Sequence, residues 1–387
     1  MKSKLEELIE KLCPNGVEYR ELEKIITIIS PPKKILSKNI TLQGKYPVID
    51  QGADYISGYT DDTEALLPDN NYIIFGDHTE TIKYVDFKFA QGADGIKILV
   101  TKDFHCKYLY YCFTNFYEPT GKYTRHWSKA KTTLIPLPPL EIQEEIVRIL
   151  DKFTELTTEL TTELTLRKQQ YEHYRDELLT FGDEVEWKKI KEIALKVTSG
   201  GTPKTEKIEY WENGTIPWMS SGEVNLETIF KTEKYITELG LNNSSAKLIP
   251  KNSIVIALAG QGKTRGKVAR IRIDLSTNQS LAAIIVDENK INSDYIFYFL
   301  KTQYQTLRQI SSGNGTRGGL NLQMIANYSI PVPSLEEQKR IVEILDRFDK
   351  YINDIKEGLP AEIEIRQKQY EHYRKELLDF KKLNMER

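Results

Sequence analysis

The chain has 387 residues, more than one ordinary core organises, so two or more domains are expected. Hydrophobic residues make up 40%, charged residues 28%, and the net charge is −2; a globally basic nucleic-acid binder is excluded, and any basic surface must be local. With no run of about 18 apolar residues, no membrane span is expected, and three cysteines (Cys13, Cys106, Cys112) without a CxxC pair predict a reducing, cytoplasmic location.

In chain order, MKSKLEELIEKL reads as an amphipathic helix with acidic residues, not as a secretory signal. Residues 17–139 read as a mixed α/β domain, with YIIFGD and IKILV as strands and KYLYYCFTN as a helix. Pro136, Pro138 and Pro139 close a strand-like stretch, and from Leu140 no Pro or Gly appears until Gly182. Over that span Leu150, Phe153, Leu156, Leu160, Leu164, Tyr171, Tyr174, Leu178 and Phe181 define one face of a long helix. Residues 183–334 form a second α/β domain, with SIVIALAG and VARIRI as strands and DYIFYFLKTQYQTLRQI as a helix. Residues 335–387 repeat the long helix, with Leu345, Phe348, Ile352, Ile355, Leu359, Ile363, Tyr370, Tyr373, Leu377 and Phe380 as its stripe. Gly358 and Pro360 predict a kink or local break there. Each helix of about 40 residues would run roughly 60 Å. Each stripe is best buried against the other, which predicts two antiparallel helices packed as a coiled-coil pair.

The two halves are copies. IPLPPLEIQEEIVRILDKF from Ile135 returns as IPVPSLEEQKRIVEILDRF from Ile330, and RKQQYEHYRDELLTF from Arg167 returns as RQKQYEHYRKELLDF from Arg366. Residues 17–25 match 185–193, and GKYPVIDQG from Gly44 parallels GTIPWMSSG from Gly214. Four collinear matches make an internal pseudo-twofold repeat. Because LIEKLCPNGVEYREL resembles ELLTFGDEVEWKKI, residues 1–16 look like the tail of the same unit, which predicts neighbouring chain ends and a circular organisation.

Catalytic patterns are incomplete. AGQGKT, Ala259–Thr264, resembles the end of a phosphate-binding loop, but Ala257 stands where the first Gly belongs and a strand pattern follows. A basic turn between strands is the better reading. Asp69, Asp86 and Lys88 nominally fit a metal-dependent nuclease, but the spacing is loose and two exposed carboxylates flanking strands explain it as well; magnesium-dependent cutting of DNA without a partner would mark the nuclease alternative. His78 has no second His at ligand spacing, so no metal site is expected. His173 and His372 occupy equivalent helical positions and read as packing or docking residues.

Local charge is more informative. Gln261 to Arg272 carries Lys263, Arg265, Lys267, Arg270 and Arg272 without an acid, and Thr264 adds a hydroxyl. SGNGTRGGLN from Ser312 is a Gly-rich loop offering Asn314, Thr316 and Arg317. The first half aligns GKYTRHWSKAK there, with Lys122, Tyr123, Arg125 and Lys129. Ser220, Ser221 and Gly222 form a small polar loop whose counterpart is Asp50-Gln51-Gly52, and His78, Thr79 and Lys83 lie on or beside another turn. These residues are the candidates for phosphate and base-edge contacts.

The order Val-Glu-Tyr/Trp, then Ile-Pro-x-Pro-x-x-Glu-x-Gln-x-x-Ile-Val-x-Ile-Leu-Asp-x-Phe, then Arg-x-x-Gln-Tyr-Glu-His-Tyr-Arg-x-Glu-Leu-Leu-x-Phe, written twice, resembles the specificity subunits of type I restriction–modification systems. The resemblance covers essentially the whole chain. It implies a non-catalytic DNA-binding subunit in which each target recognition domain reads one half of a split double-stranded target. The helices would space the domains and dock two methyltransferase subunits, with restriction subunits as further partners. S-adenosylmethionine, ATP and magnesium would then belong to those partners, and this chain would hold no cofactor. A coiled-coil scaffold without DNA specificity is the competing reading.

TELTTELTTELT, Thr154–Thr165, repeats one tetrapeptide three times inside the first long helix. Leu156, Leu160 and Leu164 stay within an apolar stripe of about 100°. One copy more or less changes the helix by ~6 Å, close to two base pairs at ~3.4 Å each.

Overall fold

The computed structural model describes residues 2–92, 95–260, 264–311, 319–354 and 357–383. It divides into two compact units, Met1–Glu163 with Ala361–Arg387, and Leu164–Pro360. Both cuts fall within the predicted helical segments rather than at their ends. The helices that carry the argument are α1 (Lys4–Leu12), α2 (Cys106–Phe116), α3 (Leu140–Leu178), α4 (Ser293–Thr302), α5 (Leu335–Asn353) and α6 (Leu359–Leu378). None among the described residues is long and apolar enough to cross a membrane.

In the first unit an antiparallel sheet orders Thr27–Ile29, Ile96–Val100, Tyr72–Gly76 and Ile82–Val85. A smaller sheet sets Tyr46–Ile49 between Gly58–Thr60, antiparallel, and Ala90–Gln91, parallel. The second unit repeats this plan. Ala194–Ser199, Leu281–Val286, Ile254–Ala257 and Val268–Ile271 follow in the same order, with Thr228–Ile229 added at the far edge. Ile216–Met219 again lies between an antiparallel strand, Lys234–Ile236, and a parallel one, Leu275–Thr277. The central strands Tyr72–Gly76 and Ile254–Ala257 are buried throughout. That is why YIIF and IVIA are unbroken apolar runs and do not alternate.

The duplicated motif locks each domain to its long helix. Tyr108 on α2 donates its hydroxyl to the Pro136 carbonyl (3.1 Å), and Tyr295 on α4 donates to Pro331 (3.0 Å). Gln143 donates to the Pro138 carbonyl (2.7 Å) while accepting from His105 N–H (3.0 Å). Gln338 does the same with Pro333 (2.8 Å) and Asn292 (2.9 Å). Tyr111 donates to Asp151 and Tyr298 to Asp346, each at 2.5 Å. Burial above all, helped by the carboxylate and at Tyr298 opposed by the Arg270 guanidinium, pushes both phenols well above their ordinary pKa, so they remain neutral donors. The Gln and Asp of the repeated motif are therefore fasteners, each holding buried or half-buried polar groups that would be costly to leave unpaired.

Within the first unit, α3 and α6 run antiparallel. Phe153 stacks on Tyr373 with centroids 5.2 Å apart, while Thr157 shares a cavity with Gln367 and Tyr370. Within the second unit, Tyr171 and Tyr174 of α3 meet Phe348 of α5 at 6.3 and 5.9 Å, and Leu178 shares a cavity with Glu337 and Arg340. Ile352 (2% exposed) and Leu359 (3%) are buried, and Leu164 packs on the same core. Leu160, Ile363, Tyr370 and Leu377 are half-buried, whereas Leu156, Tyr174 and Tyr373 are more than a third exposed. Ile355 lies outside the described residues.

The TELT stretch is helical despite its β-branched threonines. Thr154, Thr157, Thr158, Thr161 and Thr162 each donate to the carbonyl four residues earlier, at 2.8–3.1 Å. The interruption in the second copy is a full break: α5 ends at Asn353 and α6 starts at Leu359, with Pro360 in its first turn. The predicted helix from Asp294 is also two pieces, Ser293–Thr302 and Tyr304–Ile310, parted at Gln303.

Closure of the first unit differs from the expectation in one respect. The chain ends do meet: Val17 N–H donates to Lys381 O (2.9 Å) and Leu383 N–H to Val17 O (2.8 Å). Gly16, at φ +105°, passes so close to Lys381 O that a Cβ would lie 2.4 Å from it. The tail that precedes Val17 in space is thus Phe380–Leu383, as Phe181–Glu184 precedes Val185 in sequence. Helix α1 is an added element: a Ser3/Glu6 capping box starts it, Leu5 is buried, and Lys4 reaches Glu145 at the start of α3 (2.8 Å). Arg148 and Lys4 together hold the Glu145 carboxyl down at about 2.

Candidate nucleic-acid interface

In the first unit three loops converge on the turn between the strands Tyr72–Gly76 and Ile82–Val85. The 50–54 loop is tied to it by Thr79 and Thr81, whose hydroxyls donate to Gln51 O (2.6 and 3.0 Å), and by His78 N–H on Gln51 Oε1 (3.3 Å). Asp77 takes the backbone N–H groups of His126 (3.0 Å) and Trp127 (2.8 Å) on Oδ1. Glu80, held at φ +59°, accepts from Tyr117 Oη (2.6 Å), Thr120 N (2.9 Å), Thr120 Oγ1 (3.1 Å) and Gly121 N (2.9 Å). Asp50, Gln51, His78, Thr79, Lys122, Tyr123 and Arg125 are thereby brought onto neighbouring loops. Lys122, Tyr123 and Arg125 are exposed, and Tyr123 stacks on His78 with centroids 5.4 Å apart and planes at 29°. Lys129 is exposed too, but its ammonium donates to Glu118 O (2.6 Å).

The second unit builds the same cradle with other side chains. Asp77 N–H donates to Gly95 O (2.7 Å), and Leu258 N–H donates to Ser280 O (2.8 Å). His126 N–H donates to Asp77 O (2.8 Å), and Leu320 N–H donates to Leu258 O (3.1 Å). Gly92 N–H meets Ile49 O (2.9 Å), and Asn278 N–H meets Met219 O (3.1 Å). Backbone bonds fix the loop positions while leaving the side chains free to differ. Ser220–Gly222, the turn through Thr264–Lys267 and the Asn278–Ser280 segment therefore correspond to the 50–54 loop, the 77–81 turn and the stretch through Gly92 and Gly95, while Leu320 stands where His126 does.

The segment carrying AGQGKT joins the antiparallel strands Ile254–Ala257 and Val268–Ile271, and none of its described residues, 258–260 and 264–267, is helical, so no helix end among the described residues follows GKT to hold phosphate. Thr264 donates to Ala259 O (3.1 Å), Lys267 to Asn225 Oδ1 (2.7 Å), and Arg265 is half-buried on the same turn. Ser220 caps the 3₁₀ turn Ser221–Leu226 through Glu223, leaving Ser221 half-buried and Gly222 exposed. Lys263, Asn314, Thr316 and Arg317 lie outside the described residues.

Two candidates are corrected. Arg270 is 9% exposed on its strand. It binds Asp346 (2.9 Å) and Asp294 (3.2 Å), and its guanidinium lies over Phe297 and Tyr298 at 5.0 and 5.3 Å. Lys83 is 6% exposed and donates to Asp50 O (2.9 Å) and Asp54 O (2.6 Å), while burial lowers its pKa. Neither cation faces outward; Arg270 fastens its domain to α5, and Lys83 holds the 50–54 loop. Arg270→Ala is expected to destabilise the second unit by about 3 kcal/mol, the low end for breaking a buried pair, because Asp346 stays partly open to water. Thermal unfolding at low and high salt checks this; a loss confined to DNA affinity would restore Arg270 as a DNA contact.

Asp69 and Lys88 form an exposed pair at 3.9 Å. No group of three or more potential metal ligands occurs among the described residues. His173 and His372 are exposed beside Glu177 and Glu376, at 3.9 and 3.4 Å. Glu80, Asp77, Thr120 and His126 do not stand out in the sequence, since none of them belongs to a local cluster of cations. The available signal was an acid in each half of FGDHTE, Asp77 two residues before Thr79 and Glu80 directly after it.

The chain thus carries an α/β domain twice, each copy fastened to a long helix and each presenting an equivalent loop cradle. The family profile described as the type I restriction modification DNA specificity domain matches residues 14–167 and 182–365. The chain belongs to this family. It is 41% identical, over 97% of its length and 97% of the relative's, to the type I restriction enzyme EcoR124I/EcoR124II specificity subunit of Escherichia coli. Identity is 30%, over 96% of this chain and 98% of the relative, with the putative type I restriction enzyme specificity subunit S.HindORF215P of Haemophilus influenzae. Among solved structures, the type I restriction–modification S subunit from M. genitalium aligns with a TM-score of 0.59 at 17% identity, covering 96% of this chain and 98% of that one. The HsdS subunit from Thermoanaerobacter tengcongensis aligns at 0.52 and 16%, covering 96% and 98%. At those identities the likeness bears on the fold.

Proposed function

We propose that this chain is the sequence-reading part of a type I restriction–modification complex, with each recognition domain taking one half of an asymmetric split DNA target. The observation that carries this is the duplicated cradle: identical backbone bonds place unlike side chains at equivalent points. One frame with two different reading surfaces suits two different half-sites. Linking the two on one chain makes the second binding event intramolecular and raises affinity without new contacts. The paired helices set the unread spacer and dock two methyltransferase subunits. Chemistry, with S-adenosylmethionine, ATP and magnesium, takes place on those subunits and on restriction subunits in the cytoplasm, and this chain acts without catalysis or cofactor.

Exposed cations on the cradle loops are phosphate contacts in this reading. Removing Lys122 or Arg125 is expected to weaken binding of cognate and unrelated duplexes alike, and to reduce the slope of log affinity against log salt by about 1. The measurement is a salt titration of duplex binding by the chain in complex with its methyltransferase subunits. An unchanged slope for both variants would remove this loop from the interface, and a chain that shows no preference among DNA sequences would favour a scaffold role.

A further inference from the structure

Glu80 is a buried carboxylate inside the first cradle, 8% exposed, and the reading of DNA by exposed cations gives it no direct part. Its four donors all belong to residues 117–121, the segment that leads into the exposed tip. The hydrogen bonds outweigh burial, which alone would raise its pKa, and hold the carboxyl near 2, so it is an anion at any working pH.

His126 completes the arrangement from the other end of the loop. Its Nε2 lies 2.7 Å from Lys122 O and 3.1 Å from Thr124 Oγ1. Its Nδ1 lies 3.4 Å from both Thr120 Oγ1 and Glu80 Oε1. The loop from Thr120 to His126 therefore winds round one imidazole, with Glu80 beneath its first turn and Asp77 beneath its last. What this winding presents is Tyr123, 78% exposed yet stacked on His78. A large aromatic ring held outward without a core to hold it needs a rigid loop beneath it.

Resting on the DNA-reading function above, we propose that Glu80 is the positioning residue for the first domain's recognition loop: it does not touch DNA, and acts by holding Tyr123, Lys122 and Arg125 in the reading conformation. Tyr123, backed by His78, is the ring that meets a base or sugar face at the edge of the first half-site. A stacked aromatic pair offers a flat, apolar platform for such a contact. Fixing the loop before binding removes the ordering cost at the moment of association.

The test uses the chain in complex with its methyltransferase subunits, and duplexes altered in one half-site at a time. The half-site of the first domain is assigned by exchanging that domain. In Glu80→Gln, the amide cannot accept all four bonds, and preference for the intact first half-site should fall about tenfold or more. Preference at the second half-site should hold. Trypsin cleavage after Lys122 and Arg125 should accelerate, while the melting temperature of the complex changes little. Tyr123→Ala should lower the same preference, and the double variant should be no worse than the more impaired single variant, since one residue acts through the other.

Tyr117→Phe, which removes one donor and leaves three, should fall between wild type and Glu80→Gln. An unchanged first half-site in Glu80→Gln overturns the proposal, as do equal losses at both half-sites or additive effects with Tyr123→Ala. A wild-type complex with no half-site preference would overturn the DNA-reading function itself, and this proposal with it.

Discussion

Deleting one TELT copy, Thr158–Thr161, should shorten the unread spacer of the target by one or two base pairs and leave both half-sites unchanged. The deletion removes four residues from the middle of α3, about 6 Å of helix, against ~3.4 Å per base pair. It takes out a segment that interacts mainly with itself: the threonine hydroxyls bond to carbonyls of the same helix, and Thr158, Glu159 and Thr161 are exposed. Neither loop cradle includes any of these residues. Four residues exceed one turn by about 40°, so the apolar stripe shifts but stays within its ~100° width. Methylation mapped across a genome gives the spacer directly. A spacer of the original length would end the view of α3 as a ruler.

Replacing residues 185–330 with the first domain, residues 17–135, should give a complex in which the first half-site takes the place of the second. The graft preserves the junction because both domains use the same fasteners. Tyr108 and Tyr295 reach the same proline carbonyl of the motif, Gln143 and Gln338 make the same fork, and Asp151 and Asp346 take the same phenol. A grafted first domain brings Tyr108 to the Pro331 carbonyl and Tyr111 and Lys107 to Asp346, where Lys107 stands in for Arg270; Lys107 already pairs with Asp151 at 2.8 Å. Binding of duplexes carrying each half-site checks the outcome. Retention of the original second half-site would show that base reading lies outside the exchanged segment.

Much of this architecture was legible in the sequence because repetition is legible. The Ile-Pro-x-Pro and Tyr-Glu-His-Tyr-Arg blocks marked the long helices, and the apolar stripe named the residues that pair, Phe153 with Tyr373 and Tyr174 with Phe348. The roles of Gln143 and Asp151 were not legible, since a polar residue on a helix shows neither its partner nor its burial. Charge counting misplaced Arg270. In VARI every residue of the strand is buried, and Arg270 shares the face of Val268, turned toward α4. Lys83 failed for the same reason, as the strand Ile82–Val85 alternates half-buried with buried and Lys83 takes a buried position. Tyr123 and Arg125 were readable as loop residues, but Glu80, which organises them, looked like an ordinary surface acid.

The same limit explains α1. Its resemblance to the tail of α3 is real at the level of residues, yet backbone pairing decides which segment stands before Val17, and that segment is Lys381–Leu383. A local match cannot see a bond between the two ends of the chain.

The central claim is that two unlike cradles on one chain read two unlike half-sites. It is tested most directly by mapping adenine methylation in cells that express this chain with its methyltransferase subunits. The account predicts methylated adenines at one split motif, two different half-sites around a fixed unread spacer, all lost when the chain is omitted. Methylation that persists without the chain, or that marks a single uninterrupted motif, would contradict it.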